Sequence, residues 1–248
     1  MPTLSESLEV DGFALVDPIL SDDELRTLRE SVHRFSPTES TKRGGYAARH
    51  LADRVPEVRR FAESAKLRSL LEPLIGSPNR LTRSILFNKT AAANWGVFWH
   101  QDLTIATRER HDIPGFERWS VKDGVPHVQP PIDILENMLT VRLHLDACDE
   151  TNGALRVIPG SHRHGRMSQS TIPEFVENTP ARSCHVAAGG LVLMRPLLLH
   201  SSRKMTEPTQ RRVIHLEFAT QELPRPLAWR EAESVADPSV HATGTMNE

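Results

Sequence analysis

Residues 95–102 read Trp-Gly-Val-Phe-Trp-His-Gln-Asp, and far downstream the run Leu197-Leu198-Leu199 leads straight into His200. Side chains of an extended segment alternate between its two faces, so His100 and Asp102 project together while Trp99 and Gln101 take the other side. Joined by His200 from a distant strand, that pair makes a face of two imidazoles and one carboxylate with three adjacent positions open, the ligand set that suits non-haem Fe(II) oxygen chemistry. Only a fold that brings remote strands together can build it. By itself the triplet is a weak sign: with 12 His among 248 residues, chance placement supplies about 0.6 His-x-Asp triplets. A second one stands at His144-Leu145-Asp146.

The bulk numbers close off several classes. A net charge of -2 at pH 7 with no basic block gives no handle for nucleic acid or an anionic membrane surface. No apolar run approaches the roughly 20 residues of a membrane span, and the start Met-Pro-Thr-Leu-Ser-Glu lacks the basic-then-apolar order of a secretory signal. The expectation is a cytoplasmic protein whose partner is a small molecule. Cys148 and Cys184 have no paired spacing, so two reduced thiols are expected rather than a disulfide or a thiolate zinc site. A hydrophobic fraction of 38% suffices for one domain over 1–248, with a core from about 10 to 230.

Along the chain, Asp11–Val16 reads as a short strand ended by Asp17-Pro18. Ser21-Asp22-Asp23-Glu24 is a capping box, and Leu25, Leu28, Val32 and Phe35 follow at helical spacing, which predicts a helix over about 22–35. Residues 37–54, with Gly44-Gly45 and Arg49-His50, carry no period and predict a loop near the domain's mouth. Pro56 suits a helix first turn, and the stripe Val58, Phe61, Leu67, Leu70, Leu71, Leu74 predicts a second packing helix ending at Gly76. Arg80–Asn88 reads as a strand and Lys89–Asn94 as a turn. The segment from Asp102 to Leu139 is rich in proline and charge; it predicts an irregular lid anchored by Phe116, Trp119 and Val125, with at most a short helix near Ile132–Met138. Alternation resumes at Thr140–Asp146, Asn152-Gly153 turns into Ala154–Ile158, and strands follow at Leu191–Met194 and Arg211–Ala219. The tail from about 232 is expected to be mobile. Helices followed by about eight short strands predict a mainly β fold with flanking helices, a sandwich or squat barrel. No Gly-rich phosphate loop supports a kinase or a dinucleotide-binding fold.

Two strands separate their faces. In Thr140–Asp146 one face is Val141, Leu143, Leu145 and the other Thr140, Arg142, His144, Asp146; in Arg211–Ala219 one is Arg212, Ile214, Leu216, Phe218 and the other Arg211, Val213, His215, Glu217. If the apolar faces pack on the helices, the mixed faces look into the barrel or into water. Charges that look inward need partners, because an unpaired buried cation is very costly. A dianionic cosubstrate supplies one, and on that reading Arg211, not Arg212, points at it.

Several stretches together resemble the phytanoyl-CoA dioxygenase family of Fe(II)- and 2-oxoglutarate-dependent oxygenases: Trp99-His100-Gln101-Asp102; Asn152-Gly153-Ala154-Leu155 running on to Ile158-Pro159-Gly160-Ser161-His162; and His200-Ser201-Ser202 followed by Arg211. Their order and spacing are what is specific, and the likeness runs from Gly12-Phe13 to Phe218. The resemblance implies a double-stranded β-helix, a cupin-like jelly roll, with His100, Asp102 and His200 as ligands of Fe(2+). It implies that Arg211 meets the distal carboxylate of 2-oxoglutarate with help from Ser202, and that Arg142 lies beside the cosubstrate. Arg49 or Lys89 is a further basic candidate for cosubstrate or substrate, and Trp119 and His144 are candidate substrate contacts. In the family no ligand falls on the strand before the Asn-Gly turn, so His144-x-Asp146 is assigned pocket lining or a strand-end hydrogen bond. His162-Arg163-His164 reads as a loop, not a cupin-type ligand pair.

The implied activity is that of a dioxygenase that uses O2 and 2-oxoglutarate to hydroxylate a small organic molecule, releasing succinate and CO2. Because the ligand carboxylate is present as Asp102, a halogenase is disfavoured. Two alternatives stand beside it: a cupin-type metalloenzyme that ignores 2-oxoglutarate, and a catalytically silent member that binds a small molecule.

Overall fold

The computed structural model describes residues 2–35, 46–207 and 209–231. The tail expected from about 232 and the Gly44-Gly45 part of the expected loop lie outside the described residues. Helix α1 (Leu4–Val10) is capped by Thr3 and Glu6, and β1 (Phe13–Val16) follows. The Ser21/Glu24 box starts α2 (Asp22–Arg34) where the sequence places it. Two departures come next. Part of the expected loop is the strand β2 (Tyr46–Arg49) and the single turn α3 (Leu51–Arg54). The stripe after Pro56 is broken into α4 (Pro56–Ala62) and α5 (Ala65–Ile75), because Ser64 accepts a hydrogen bond from the Leu67 amide and starts a new helix.

The remaining elements are β3 (Arg80–Lys89), β4 (Val97–His100), β5 (Ile105–Ala106), β6 (Glu117–Lys122), β7 (Val125–Gln129), α6 (Ile132–Glu136), β8 (Met138–His144), β9 (Leu155–Val157), α7 (Ile172–Asn178), β10 (Arg182–Cys184), β11 (Leu191–Met194), β12 (His200–Ser202) and β13 (Arg211–Ala219). Among the described residues they form a major sheet in the order β1-β11-β8-β13-β3-β2, a minor sheet β10-β9-β12-β4, and a small sheet β5-β7-β6. The major and minor sheets enclose a cavity in a jelly-roll arrangement, and every strand pairing within them is antiparallel.

Alternation decides which side of the major sheet faces the helices. Val141, Leu143 and Leu145 of the β8 segment and Ile214, Leu216 and Phe218 of β13 join Leu28, Val58, Leu67 and Leu71 in one buried cluster. Each such side chain contributes about 1.5–3 kcal/mol when fully buried, and a one-residue slip would turn all of them to the wrong side. The partner residues of the same strands, among them Arg142, Arg211 and His215, are thereby committed to the interior.

The segment from Asp102 to Leu139 is not irregular. Helix α6 is where the sequence expects a short helix, but β5, β6 and β7 are built ahead of it. Lys122 and Val125 flank the two-residue Asp123-Gly124 turn, both of whose residues have positive φ (51° and 78°), the left-handed geometry of a tight hairpin turn. Phe116 packs with Ile105, Val128, Leu135 and Trp229 in a second core, with Trp119 against it. Cys148 and Cys184 are free and buried, and among the described residues no helix is long and apolar enough to cross a membrane.

Candidate active site

Residue His100 ends β4 and is paired in register with His200, which begins β12. This cross-strand register supplies the convergence that the triplet alone could not. The rings stand 4.2 Å apart. Nε2 of His100 lies 3.9 Å from one Asp102 oxygen and Nε2 of His200 lies 3.6 Å from the other. In each histidine Nδ1–H donates to the backbone carbonyl two residues earlier, Phe98 O at 2.8 Å and Leu198 O at 2.9 Å. That bond fixes the tautomer and leaves Nε2 as the free lone pair. Asp102 is held by its own amide, which donates to Pro196 O at 2.9 Å. Gln101, on the opposite face, donates to Gly165 O and Leu197 O and accepts from the Met167 amide. Leu199, next to His200, is pinned by its amide on Ser161 Oγ.

These residues fit a metal ion. The three donor atoms lie within 4.8 Å of one another, against roughly 3 Å for adjacent ligands on an ion with bonds near 2.1 Å, so small side-chain shifts close the site. Oδ2 of Asp102 is buried without a hydrogen-bond partner. Burial opposes the Asp102 charge, but His200, His215, His100 and Arg83 outweigh it and hold its pKa well below the ordinary carboxylate range. Burial, and next His100, push His200 down to about 3. A carboxylate beside the neutral His200 imidazole at neutral pH is a ligand set ready for a cation.

The cavity is about 120 Å³ and runs between the sheets from Lys89, Trp95, Arg142, Ser202 and Arg211 past the three ligand candidates to Arg83 and His215. Its first end is strongly cationic. Lys89, almost wholly buried, donates to Ser202 Oγ at 2.9 Å and Arg203 O at 2.7 Å. Arg211 donates to Gly153 O at 3.0 Å. Gly153 has φ 79°, and a Cβ there would lie 2.7 Å from Arg203 O and 3.1 Å from Lys89 Nζ, so the Asn-Gly turn lets these groups crowd together. Nε of both Arg142 and Arg211 is buried without a partner. Desolvation, then Arg211 and Arg142, lower Lys89 to about 7, and desolvation followed by Arg211 lowers Arg142 to about 10. Three cations pressed together in a dry pocket require an anion between them.

The other end holds a network that the sequence reading did not nominate. Arg142 donates to His215 Nδ1 at 3.0 Å, His215 Nε2–H donates to Glu217 at 3.0 Å, and Glu217 pairs with Arg83. Cross-strand register makes this ladder, since Arg142 faces His215 and Glu217 faces Arg83. Reading the i, i+2 face of β3 as Arg83, Ile85, Phe87, Lys89 would have found it, because all four line the cavity.

Three candidates are not brought to the cavity wall. Arg49 pairs with Asp123 at 2.6 Å on the rim. Trp119 packs in the second core with Arg110 over its ring. His144 is fully buried, with neither ring nitrogen hydrogen-bonded; it is not among the residues that line the cavity, and the strand-end hydrogen bonds of its triplet are made by Asp146, to Arg212. His162 lies in a 3-10 turn with Nε2 on Glu9 O.

Residues 8–213 match the family model described as Phytanoyl-CoA dioxygenase. Among curated proteins, the chain is similar to the ectoine dioxygenase of Bordetella bronchiseptica, 27% identical over 171 residues that make up 64% of this chain and 48% of the relative. It is also similar to the iron/alpha-ketoglutarate-dependent dioxygenase ausU of Aspergillus calidoustus, 26% identical over 231 residues, 88% of this chain and 70% of the relative. The match thus spans about half the length of the Bordetella relative. Among solved structures, the non-heme alpha ketoglutarate dependent carbocyclase SnoK superposes with a TM-score of 0.69 at 15% identity, covering 95% of this chain and 87% of that one. EctD from S. alaskensis, solved with 2-oxoglutarate and 5-hydroxyectoine, gives 0.68 at 21% identity, covering 87% and 74%. These two likenesses show the jelly-roll fold.

Proposed function

The chain belongs to the phytanoyl-CoA dioxygenase family, and on that premise we propose that it is an iron(II)- and 2-oxoglutarate-dependent dioxygenase that hydroxylates a small organic molecule. The observation that carries this reading is the placing, in one cavity, of a His-Asp-His cluster with a buried unpartnered carboxylate oxygen beside a pocket of three cations. A cupin-type metalloenzyme without a dianionic cosubstrate leaves Lys89, Arg142 and Arg211 uncompensated.

His100, Asp102 and His200 would hold the iron. When bound, iron with 2-oxoglutarate and O2 supplies the oxidising chemistry, in which the 2-oxo acid goes to succinate and CO2 and one oxygen atom enters a substrate C–H bond. The chain's own work is positioning. Arg211 offers its guanidinium to the distal carboxylate, and a planar fork can engage both oxygens where an ammonium cannot. Ser202, already fixed by Lys89, adds a hydroxyl at the same end, and Arg142 faces the cosubstrate from β8. His215 accepts from Arg142 and thereby orients it. The backbone carbonyls of Phe98 and Leu198 keep both imidazoles in the ligating tautomer. The β6–β7 hairpin, latched by Arg49 and Asp123, shields the mouth from water. A cytoplasmic location suits the free thiols of Cys148 and Cys184.

Succinate release that requires iron(II) and 2-oxoglutarate tests the reading. Arg211→Ala should weaken 2-oxoglutarate binding by about 2–5 kcal/mol with iron affinity unchanged. A normal cosubstrate requirement in that variant contradicts the assignment.

A further inference from the structure

We propose that the substrate is an organic carboxylate, and that Arg83 and Lys122 receive its carboxylate over Thr104 at the end of the cavity remote from Lys89. The inference rests on the oxygenase reading and adds the substrate class. Arg83 and Lys89 are six residues apart on β3, roughly 20 Å at a strand's rise, so the two cationic sites cannot be served by one small dianion. Between them Ile85 and Phe87 give the cavity an apolar floor.

The geometry at this second end is specific. Thr104, two residues past Asp102, is grasped from two elements: Arg83 of β3 donates to its carbonyl at 3.0 Å, and Lys122 of β6 reaches its hydroxyl at 3.4 Å. Arg83 is buried, lines the cavity, uses its other terminal nitrogen on Glu217, and keeps Nε without a partner. Among the described residues no carboxylate lies within 4.0 Å of the Lys122 ammonium. The other charges here are matched, Arg83 with Glu217 and Arg49 with Asp123, while Asp102 is a metal-ligand candidate. Lys122 has no such close pair among the described residues. It is half-buried, and burial, then Arg83 and Arg49, lower its pKa against the pull of Asp102 and Glu217. His127 stands within reach of the same charges, its Nε2 buried and unpartnered. One free guanidinium N–H and one ammonium match the two oxygens of a carboxylate. A phosphate dianion would ask for more donors than the site offers.

The test uses the full chain loaded with iron(II) and 2-oxoglutarate without oxygen, so that the cosubstrate end is filled. Benzoate, hexanoate and cyclohexanecarboxylate are titrated beside their carboxamides and phenyl phosphate, with binding read by calorimetry and by perturbation of the iron charge-transfer band. At least one carboxylate should bind about tenfold more tightly than its amide, and Lys122→Gln should weaken it by about tenfold while Lys122→Arg restores it. Equal binding of acid and amide, a preference for phenyl phosphate, no carboxylate binding, or an unaffected Lys122→Gln overturns the inference. A normal charge-transfer band with no carboxylate preference overturns this inference alone; a missing band before any probe is added takes the oxygenase reading down with it.

Discussion

The triplets His100-Gln101-Asp102 and His144-Leu145-Asp146 share a spacing, and in both the histidine is the last residue of its strand, β4 in one case and β8 in the other. Their surroundings differ in every other respect. Opposite His100 stands His200; opposite His144 stands Val213. Asp102 keeps one buried oxygen unpartnered, whereas Asp146 gives both oxygens to the Arg212 guanidinium at 2.9 and 2.8 Å and takes the Arg212 amide at 2.9 Å. The middle residues part as well: Gln101 ties together three backbone groups, while Leu145 is buried in the helix-facing core. Charge completes the contrast. Burial, then Arg142 and Arg211, hold the His144 pKa far below its usual value, and those same cations repel a metal ion; at His100 the nearest charge is the Asp102 carboxylate. Spacing can set two candidate ligands side by side, but the strand across from them and the sign of the nearby charge decide whether an ion is welcome.

The contrast breaks most sharply at the two aspartates. Asp102→Ala should abolish iron(II) binding and succinate formation, while Asp146→Ala should retain both and lose about 2 kcal/mol of stability from the stranded Arg212, read as a shift in the urea midpoint. Loss of iron from the Asp146 variant would erase the distinction. After the loss of iron in Asp102→Ala comes the middle of the second triplet: Leu145→Ala should cost about 3 kcal/mol of unfolding free energy and leave the iron stoichiometry untouched. The smallest concerns the cations. Lys89, whose pKa is lowered to about 7 by burial, Arg211 and Arg142 against the opposing pull of Cys148, binds fewer protons folded than unfolded above that pH. Its contribution to stability without cosubstrate therefore rises as pH climbs through 7 and is lost on the way down. A dianion favours the ammonium, so binding 2-oxoglutarate near pH 7 should take up about half a proton, measurable by calorimetry in buffers of different ionisation heat and absent in Lys89→Met. No uptake in the wild type would remove Lys89 from the cosubstrate end.

What the sequence made legible was what short-range rules govern. The Ser21/Glu24 box located α2, and period-two alternation sorted Arg211 from Arg212: the first lines the cavity and the second lies on Asp146. The triplet and the leucine run nominated three side chains that the register of β4 and β12 brings together. Illegible were features set by register between distant strands. The Arg142-His215-Glu217-Arg83 ladder exists because β13 lies between β8 and β3, an order that no local pattern encodes. The β6–β7 hairpin was hidden for another reason. Its Asp123-Gly124 turn is a hairpin signal, but the charged, proline-bearing strands around it mask the alternation. His144 misled because inward alternation gives the side of the sheet and not which inward side chains reach the cavity: Phe87, at the same level two strands away, lines it and His144 does not.

The claim that matters most is that His100, Asp102 and His200 hold one ion between them. Anaerobic titration of the protein with iron(II) in the presence of 2-oxoglutarate should develop a weak visible charge-transfer band that saturates at one iron per chain in the wild type and in His144→Ala, and no band in His200→Ala. A band of full intensity in His200→Ala, or one lost only in His144→Ala, would contradict the account.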